Sequence, residues 1–476
     1  MGASIVWTQQ ESSGAFHSIF VLVSTKARAG ERERERSHLI PIDSHKLINN
    51  MRRGGSAVLG FVGGVARRRR SFPIRWGAAG QNHFSSSSSS EDGGFAAYAQ
   101  KSQTSVSMQT LLDTGSGLLL DHPKRTISAG SDKEKELATV LQVGSFLRRE
   151  MPVRFAHRIR DLESLPYGLG EMRSIETVKQ WYQDSLDDII AFPEISNREE
   201  DGKFVSLVET IYRRHADTLV MIARGLHEFQ QSESGRELLQ PAIGSTRDLA
   251  DLHLIHDFLD RFFLSRIGIR MLLGQYIELH QEPRKDYIGL ICNKTSPADI
   301  AQAAAEDARY MCQRHYGDAP DVEFLGRNDL TFSYVPSHLY YILFELLKNS
   351  MRAVIEHHGI DEMPMIRVVI ADGEANEDVA IKISDQGGGI PRSITNKIFS
   401  YLFTTAGSAY QDAIIDSNLE DFGTENPLAG LGYGLPISRG YARYFGGDLN
   451  LMSMEGYGTD AFLHLSRLRK HKEPLP

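Results

Sequence analysis

From residue 131 to about 280, apolar side chains recur every three or four positions, with charged residues between them. Leu137, Val140, Leu141, Gly144 and Leu147 fall on one stripe of a 3.6-residue period, and Pro152 predicts the end of that helix. Ser174 is placed to cap a second helix, which carries Ile175, Val178, Tyr182, Leu186 and Ile189 on one face and stops at Pro193. Val208, Ile211, Tyr212, His215, Leu219, Ile222 and Leu226 make a third stripe, and a longer fourth helix is expected over 248–280. Four amphipathic helices joined by polar loops predict a four-helix bundle. A histidine on such a stripe, as His215 is, reads as a packed and hydrogen-bonded core residue, and nothing near it has metal-ligand spacing. His227-Glu228 comes nearest to a phospho-accepting pair, but no proline follows until Pro241.

The period changes beyond Asp286. An apolar run over 287–291 predicts a strand, and 301–316, which contains Cys312, predicts a helix. A second helix is expected over 339–356 and a third over 436–445. Strands are expected over 366–371, 379–384 and 461–465, the middle one alternating Val379, Ile381 and Ile383 before it reaches Asp385. Helices against one face of a largely antiparallel sheet predict an α/β sandwich. The chain therefore divides into a leader over 1–130, a helical domain over 131–283 and a mixed domain over 286–470.

The leader does not read as fold. From Met51 to Ser90 it holds Arg52, Arg53, Arg67, Arg68, Arg69, Arg70 and Arg75, then six serines, with no acidic residue before Glu91. Arg- and Ser-rich, acid-poor composition marks an organelle transit peptide, with import to the mitochondrial matrix expected. A basic arm for anionic partners is the other reading. Glu and Arg alternate strictly from Glu31 to Arg36, which does not suit a targeting signal. Met51 is therefore expected to be the natural start and the first 50 residues an extension. Residues 91–130 read as a flexible connector. Over the whole chain of 476 residues, 24% charged with a net charge of −8, mild acidity argues against general nucleic-acid binding. No apolar run reaches the roughly 18–20 residues a membrane span needs. Cys292 and Cys312 are too few for a disulfide framework.

Candidate chemistry lies in four segments of the mixed domain. Glu345 and Asn349 stand four apart on one helix, so both leave the same face. An amide oxygen suits Mg²⁺, and a carboxylate one turn away can take a nucleophile's proton. Arg352 would add positive charge near phosphates. Asp385 ends a strand and enters Gly387-Gly388-Gly389, where a carboxylate can accept from the amine of adenine. Gly430, Gly432 and Gly434 permit close approach of backbone amides to phosphate ahead of a helix. Thr459 follows Gly456 and Gly458. No Gly-x-x-x-x-Gly-Lys-Ser/Thr loop is present, and Asp421-Phe422-Gly423 has no His-Arg-Asp before it. The stretch 406–429, rich in Ser, Asp, Asn and Gly, reads as a lid over the nucleotide.

In this order the segments resemble the GHKL superfamily ATP site. The resemblance sharpens to the mitochondrial 2-oxo acid dehydrogenase kinases over residues 135–468. It is carried by Leu165-Pro166-Tyr167-Gly168-Leu169, Trp181-Tyr182, the run from Ser265 to Met271, Glu345 to Ala353, and Gly432 to Leu449. The resemblance implies a four-helix bundle followed by a GHKL-type α/β sandwich, using ATP and Mg²⁺. It implies that Glu345 is the general base, Asn349 the metal ligand and Asp385 the adenine contact. Arg352, Gly387, Gly389, Thr404, Thr405, Gly430, Leu431, Gly432, Gly434, Leu435 and Thr459 would line the nucleotide. It further implies a serine of the thiamine-dependent decarboxylase component as substrate, a lipoyl-bearing acyltransferase core as docking partner, and a homodimer as one possible state. Tyr341 stands where many pyruvate dehydrogenase kinases carry a His one turn before the base. With Phe403-Thr404-Thr405-Ala406 and Ile291-Cys292 it favours the branched-chain type, while Gly432 to Leu449 and Glu473-Pro474-Leu475-Pro476 resemble plant-type pyruvate dehydrogenase kinases. A catalytically idle ATP-binding module is the reading from another class.

Overall fold

The structure, a computed structural model, describes residues 20–25, 36–41, 92–118, 132–239, 252–373, 377–405 and 432–475. The chain separates into two compact units, Met1–Ser85 and Ser86–Pro476. In the first, strands β1 (Phe20–Thr25) and β2 (Arg36–Pro41) pair antiparallel, with Phe20 opposite Pro41. The Arg- and Ser-rich leader, Met51 and the 406–429 stretch lie outside the described residues.

The second unit begins inside the segment expected to be a connector. Helices α1 (Asp92–Ala99) and α2 (Met108–Gly115) form there, the latter capped by Ser107 Oγ, which accepts from the Thr110 amide. Met108, Leu111 and Leu112 are buried in the core, which is why this stretch folds despite its polar composition.

Helix α3 (Asp132–Glu163) corrects the expected stop, because it runs through Pro152 without ending. A proline inside a helix costs about 3 kcal/mol. Leu147, Met151, Phe155, Ile159 and Leu162 form a buried seam on both sides of it, and packing of that seam outweighs the cost. Helix α4 (Arg173–Ala191) starts one residue before Ser174, so Ser174 is not its cap; the serine instead donates to Glu228, Oγ to Oε1 at 2.6 Å. Phe192, immediately before Pro193, ends α4 as expected. The third stripe is two helices, α5 (Arg198–Arg214) and α6 (Thr218–Gln231), broken at 215–217. Helix α7 (Glu233–Leu239) follows, then α8 (His253–Leu279). Most of α8 is buried, since α3, α5 and the mixed half all pack against it. No helix among the described residues is long and apolar enough to cross a membrane.

The apolar run over 287–291 is a hairpin rather than one strand: β3 (Tyr287–Ile288) pairs with β4 (Ile291–Thr295), which continues to β6 (Phe332–Tyr334). Between these lie helix α9 (Pro297–Tyr316) and β5 (Val322–Gly326). Helix α10 (Pro336–His358) precedes β7 (Ile366–Asp372) and β8 (Asp378–Asp385). Helix α11 (Gly434–Tyr444), β9 (Asp448–Met454) and β10 (Gly458–Ser466) complete the half. The main sheet has the order β5-β7-β8-β10-β9, antiparallel except for the β5–β7 pair. Ile381 and Ile383 of β8 point into the core as their alternation requires, and α9 and α10 pack side by side over the same layer. The register sets Thr459 opposite Asp385.

Candidate active site

Helix α10 begins with a proline, pre-set for a helix start, and buries Leu339, Ile342, Leu343, Leu346 and Leu347 against the sheet. That burial fixes which way the polar positions face. Glu345 is itself buried, and its Oε1 lies 2.6 Å from Lys348 Nζ, one turn on. The ammonium balances a carboxylate that would otherwise be stranded away from water. Asn349, four residues from Glu345, is exposed on the same cleft. Arg352 also lines it, with Nε donating to Glu356 at 2.7 Å.

Asp385 sits at the end of β8, buried beneath α10. Its Oδ1 accepts from the Gly387 and Thr459 amides, at 3.0 and 3.2 Å, and its Oδ2 from Ser350 Oγ at 3.0 Å. Burial pushes this carboxyl above the ordinary range, although the Gly387 amide, the Ser350 hydroxyl and the Thr459 amide pull the other way. Gly387 and Gly389 line the cleft beside it, as do Thr404, Thr405, Gly432, Gly434, Leu435 and Thr459. Gly430 and Leu431 lie outside the described residues. A Cβ on Gly434 would stand 2.3 Å from Glu345 Oε2, so the helix start can approach the carboxylate only as glycine. Together these residues surround a cleft of about 420 Å³. It has an apolar rim at Ile390, Ile398 and Leu451, an acid at its floor and a helix N-terminus at its mouth.

Two residues here were not singled out from sequence. Lys348 lies three positions from Glu345, the spacing of a helix ion pair, and Ser350 reaches across to Asp385. Tyr341, one turn before Glu345, packs on Tyr441 and lines a second cavity with Arg266 and Arg270. Its hydroxyl makes no hydrogen bond among the described residues. His338, seven residues before Glu345, also packs on Tyr441, and burial pushes it down to about 3. His215 is a core residue: its Nε2 lies 3.0 Å from Ser185 Oγ, Phe155 and Tyr182 pack on its ring, and burial pushes it down to about 3. Glu228, beside His227, is engaged with Ser174.

A carboxylate and an amide one turn apart, a strand-end acid held by backbone amides, and a glycine-led helix define an ATP site of the histidine kinase, gyrase B and Hsp90 type. The family model of that name matches residues 334–469, and the model described as mitochondrial branched-chain alpha-ketoacid dehydrogenase kinase matches residues 119–292. Among curated proteins the chain is similar to a mitochondrial pyruvate dehydrogenase (acetyl-transferring) kinase of Arabidopsis thaliana. The two are 42% identical over 377 residues, covering 79% of this chain and 93% of the relative. Proteins of the same name from Schizosaccharomyces pombe and Drosophila melanogaster are 36% and 40% identical. They cover 75% and 69% of this chain, and 97% and 78% of their own lengths. The chain belongs to the mitochondrial 2-oxo acid dehydrogenase kinase family, and it is an ATP-binding protein kinase. The branched-chain preference expected from Tyr341 and the short stretches 403–406 and 291–292 is not supported, because the relatives that align over most of the chain carry the pyruvate dehydrogenase name. Tyr341 makes no hydrogen bond to Glu345, so its chemistry is a weak guide to substrate.

Proposed function

We propose that this kinase transfers the γ-phosphoryl group of ATP to a serine of the thiamine-dependent decarboxylase component of the pyruvate dehydrogenase complex, in the mitochondrial matrix, and so switches the complex off. The observation that carries the chemistry is Glu345, buried at the cleft, paired with Lys348 and touched by the start of α11. The names of the relatives support the substrate. Glu345 is the general base that takes the serine proton, and Asp385 accepts from the adenine amine. The amides of Gly432 and Gly434, with the glycine-led start of α11, hold phosphate. Arg352, Thr404, Thr405, Leu435 and Thr459 line the nucleotide, and Gly387 and Gly389 shape the turn beneath the base.

The exposed amide of Asn349 fits Mg²⁺, which prefers hard oxygen ligands and retains several waters. When bound, the metal supplies charge neutralisation between phosphates. The helical half docks on the lipoyl-bearing acyltransferase core. The open edge of the sheet at β9, where Met452 and Met454 are exposed, supports a homodimer paired along that strand.

Incubation with ATP and each purified decarboxylase component, read as serine phosphorylation, tests the substrate. Pyruvate-type substrate is expected to be modified and branched-chain substrate spared. Glu345→Gln is expected to lower the rate at least about 100-fold while nucleotide still binds. Wild-type protein that binds ATP and phosphorylates neither component would favour the idle binding module.

A further inference from the structure

The last described residues of the chain return to the helical half. Glu473 is buried there between α3 and α11, 319 residues from the arginine that holds it. Arg154 of α3 donates to both carboxylate oxygens of Glu473, Nη1 reaching Oε2 at 3.2 Å and Nη2 engaging Oε1. The same guanidinium uses Nε on Glu150 at 2.9 Å and Nη2 on the Thr104 carbonyl at 2.8 Å. The Val106 amide donates to Glu473 Oε1 at 3.1 Å. The remaining contact is Tyr444 Oη, which donates to Glu473 Oε2 at 2.8 Å. Arg154, Tyr444 and Glu473 are all nearly inaccessible to water, and Gly268 of α8 makes room for them. A Cβ on Gly268 would lie 2.7 Å from Glu473 and 2.9 Å from Arg154.

Tyr444 is the last residue of α11, and Gly434, its first, touches the catalytic carboxylate. At 1.5 Å per residue the two ends are roughly 15 Å apart. Midway, Arg439 pairs with Asp448 of β9 at 2.9 Å, which ties α11 to its own half. Glu473 ties the far end to the other half. A purely apolar contact would let the helix slide by fractions of an ångström, whereas Tyr444 is bonded to a carboxylate that Arg154 and the Val106 amide hold through three further hydrogen bonds.

We propose that Glu473 is a positioning residue for phosphoryl transfer: acting through Tyr444, it sets the axial placement of α11 and hence the spacing between the glycine cluster and Glu345. This rests on the assignment of Glu345 and α11 to the active site. Misplacing reacting groups by about 1 Å can cost as much as 100-fold in rate.

The test uses full-length protein as wild type, Glu473→Gln, Tyr444→Phe and the double variant. Rates on the decarboxylase component are normalised to sites titrated with a fluorescent ATP analogue, and thermal midpoints are measured alongside. Glu473→Gln is expected to lower kcat per binding site at least about tenfold. Tyr444→Phe, which keeps the ring and loses one bond, is expected to lower it about threefold and to weaken the analogue. The double variant is expected to be no worse than Glu473→Gln alone, because both changes cut one path. Lower thermal midpoints with unchanged kcat and KM for ATP per site would make the cluster structural only and overturn the proposal, as would losses that multiply independently. Should Glu473→Gln not fold, Tyr444→Phe decides the matter. Should wild type phosphorylate neither component, the substrate reading fails in that arm, and the clasp is still judged by whether Tyr444→Phe weakens the ATP analogue.

Discussion

At the residue scale, the catalytic cleft depends on close approaches that sequence marks only by residue type. Gly434→Ala would place a methyl group against Glu345 Oε2, so its kcat is expected to fall at least about tenfold in single-turnover assays, with the fold intact by circular dichroism. Asp385→Asn keeps the volume but reverses one acceptor position. The remaining oxygen stays with the Gly387 and Thr459 amides, which already share it, and an NH2 replaces the acceptor that faces Ser350 and the proposed adenine contact, so nucleotide affinity is expected to drop by about 1–3 kcal/mol, measured by calorimetry. That Glu345, Asn349 and Asp385 line one cleft was legible, because each stands at a fixed offset on a helix or a strand end. Lys348 was adjacent to them in sequence yet carried no distinguishing signal, since a lysine three residues from a glutamate usually marks a solvated helix face. Only burial of Glu345 turns that spacing into part of the site.

At the scale of elements, periodicity located the long helices and missed their ends. Proline in α3 signalled a stop that a buried seam overrode, and the third stripe hid a break at His215, because the apolar positions of α5 and α6 stay in phase across it. Strand β9 escaped notice, since its apolar residues change face part-way, from Leu449 and Leu451 to the exposed Met452 and Met454, which breaks the alternation. The junction of α5 and α8 carries a device of its own. His280 faces two acceptors, the Tyr276 carbonyl through Nδ1 and Asp201 through Nε2, each at 2.8 Å, and both nitrogens can donate only in the imidazolium. Burial opposes that charge, and the bonds to Asp201 and Tyr276 outweigh it, so the folded-state value is raised. The stability it contributes is complete below the unfolded value near 6.5 and is lost as pH rises through the higher folded value. Urea midpoints of wild type are therefore expected to fall between pH 6 and 9, and those of His280→Gln to fall less. An equal fall in both would remove His280 as the cause.

For the whole molecule, the change from helices to a sheet-bearing stretch follows from the switch in period near residue 286, and the class of ATP site from the order of four short segments. Choice of substrate complex did not, because it depends on surfaces rather than on a local pattern, and Tyr341 with the short stretches 403–406 and 291–292 was too little to rest on. Met452→Lys with Met454→Lys places charge along the open edge of the sheet, and is expected to convert a dimer to monomer in sedimentation experiments without loss of fold. Wild type that already sediments as a monomer would dismiss β9 as an interface.

The separation of Arg154 from Glu473 also has a consequence in time. The chain is threaded from its N-terminal side, at the ribosome and again on import, so Arg154 emerges 319 residues ahead of Glu473. Throughout that interval the helical half carries a guanidinium built for burial with only Glu150 to neutralise it. Its remaining carboxylate partner comes only with Glu473, so the helices are finished late although they are made early. A chain cut short before Glu473 would thus leave α3, rather than its newest strand, as the part that chaperones and proteases find first.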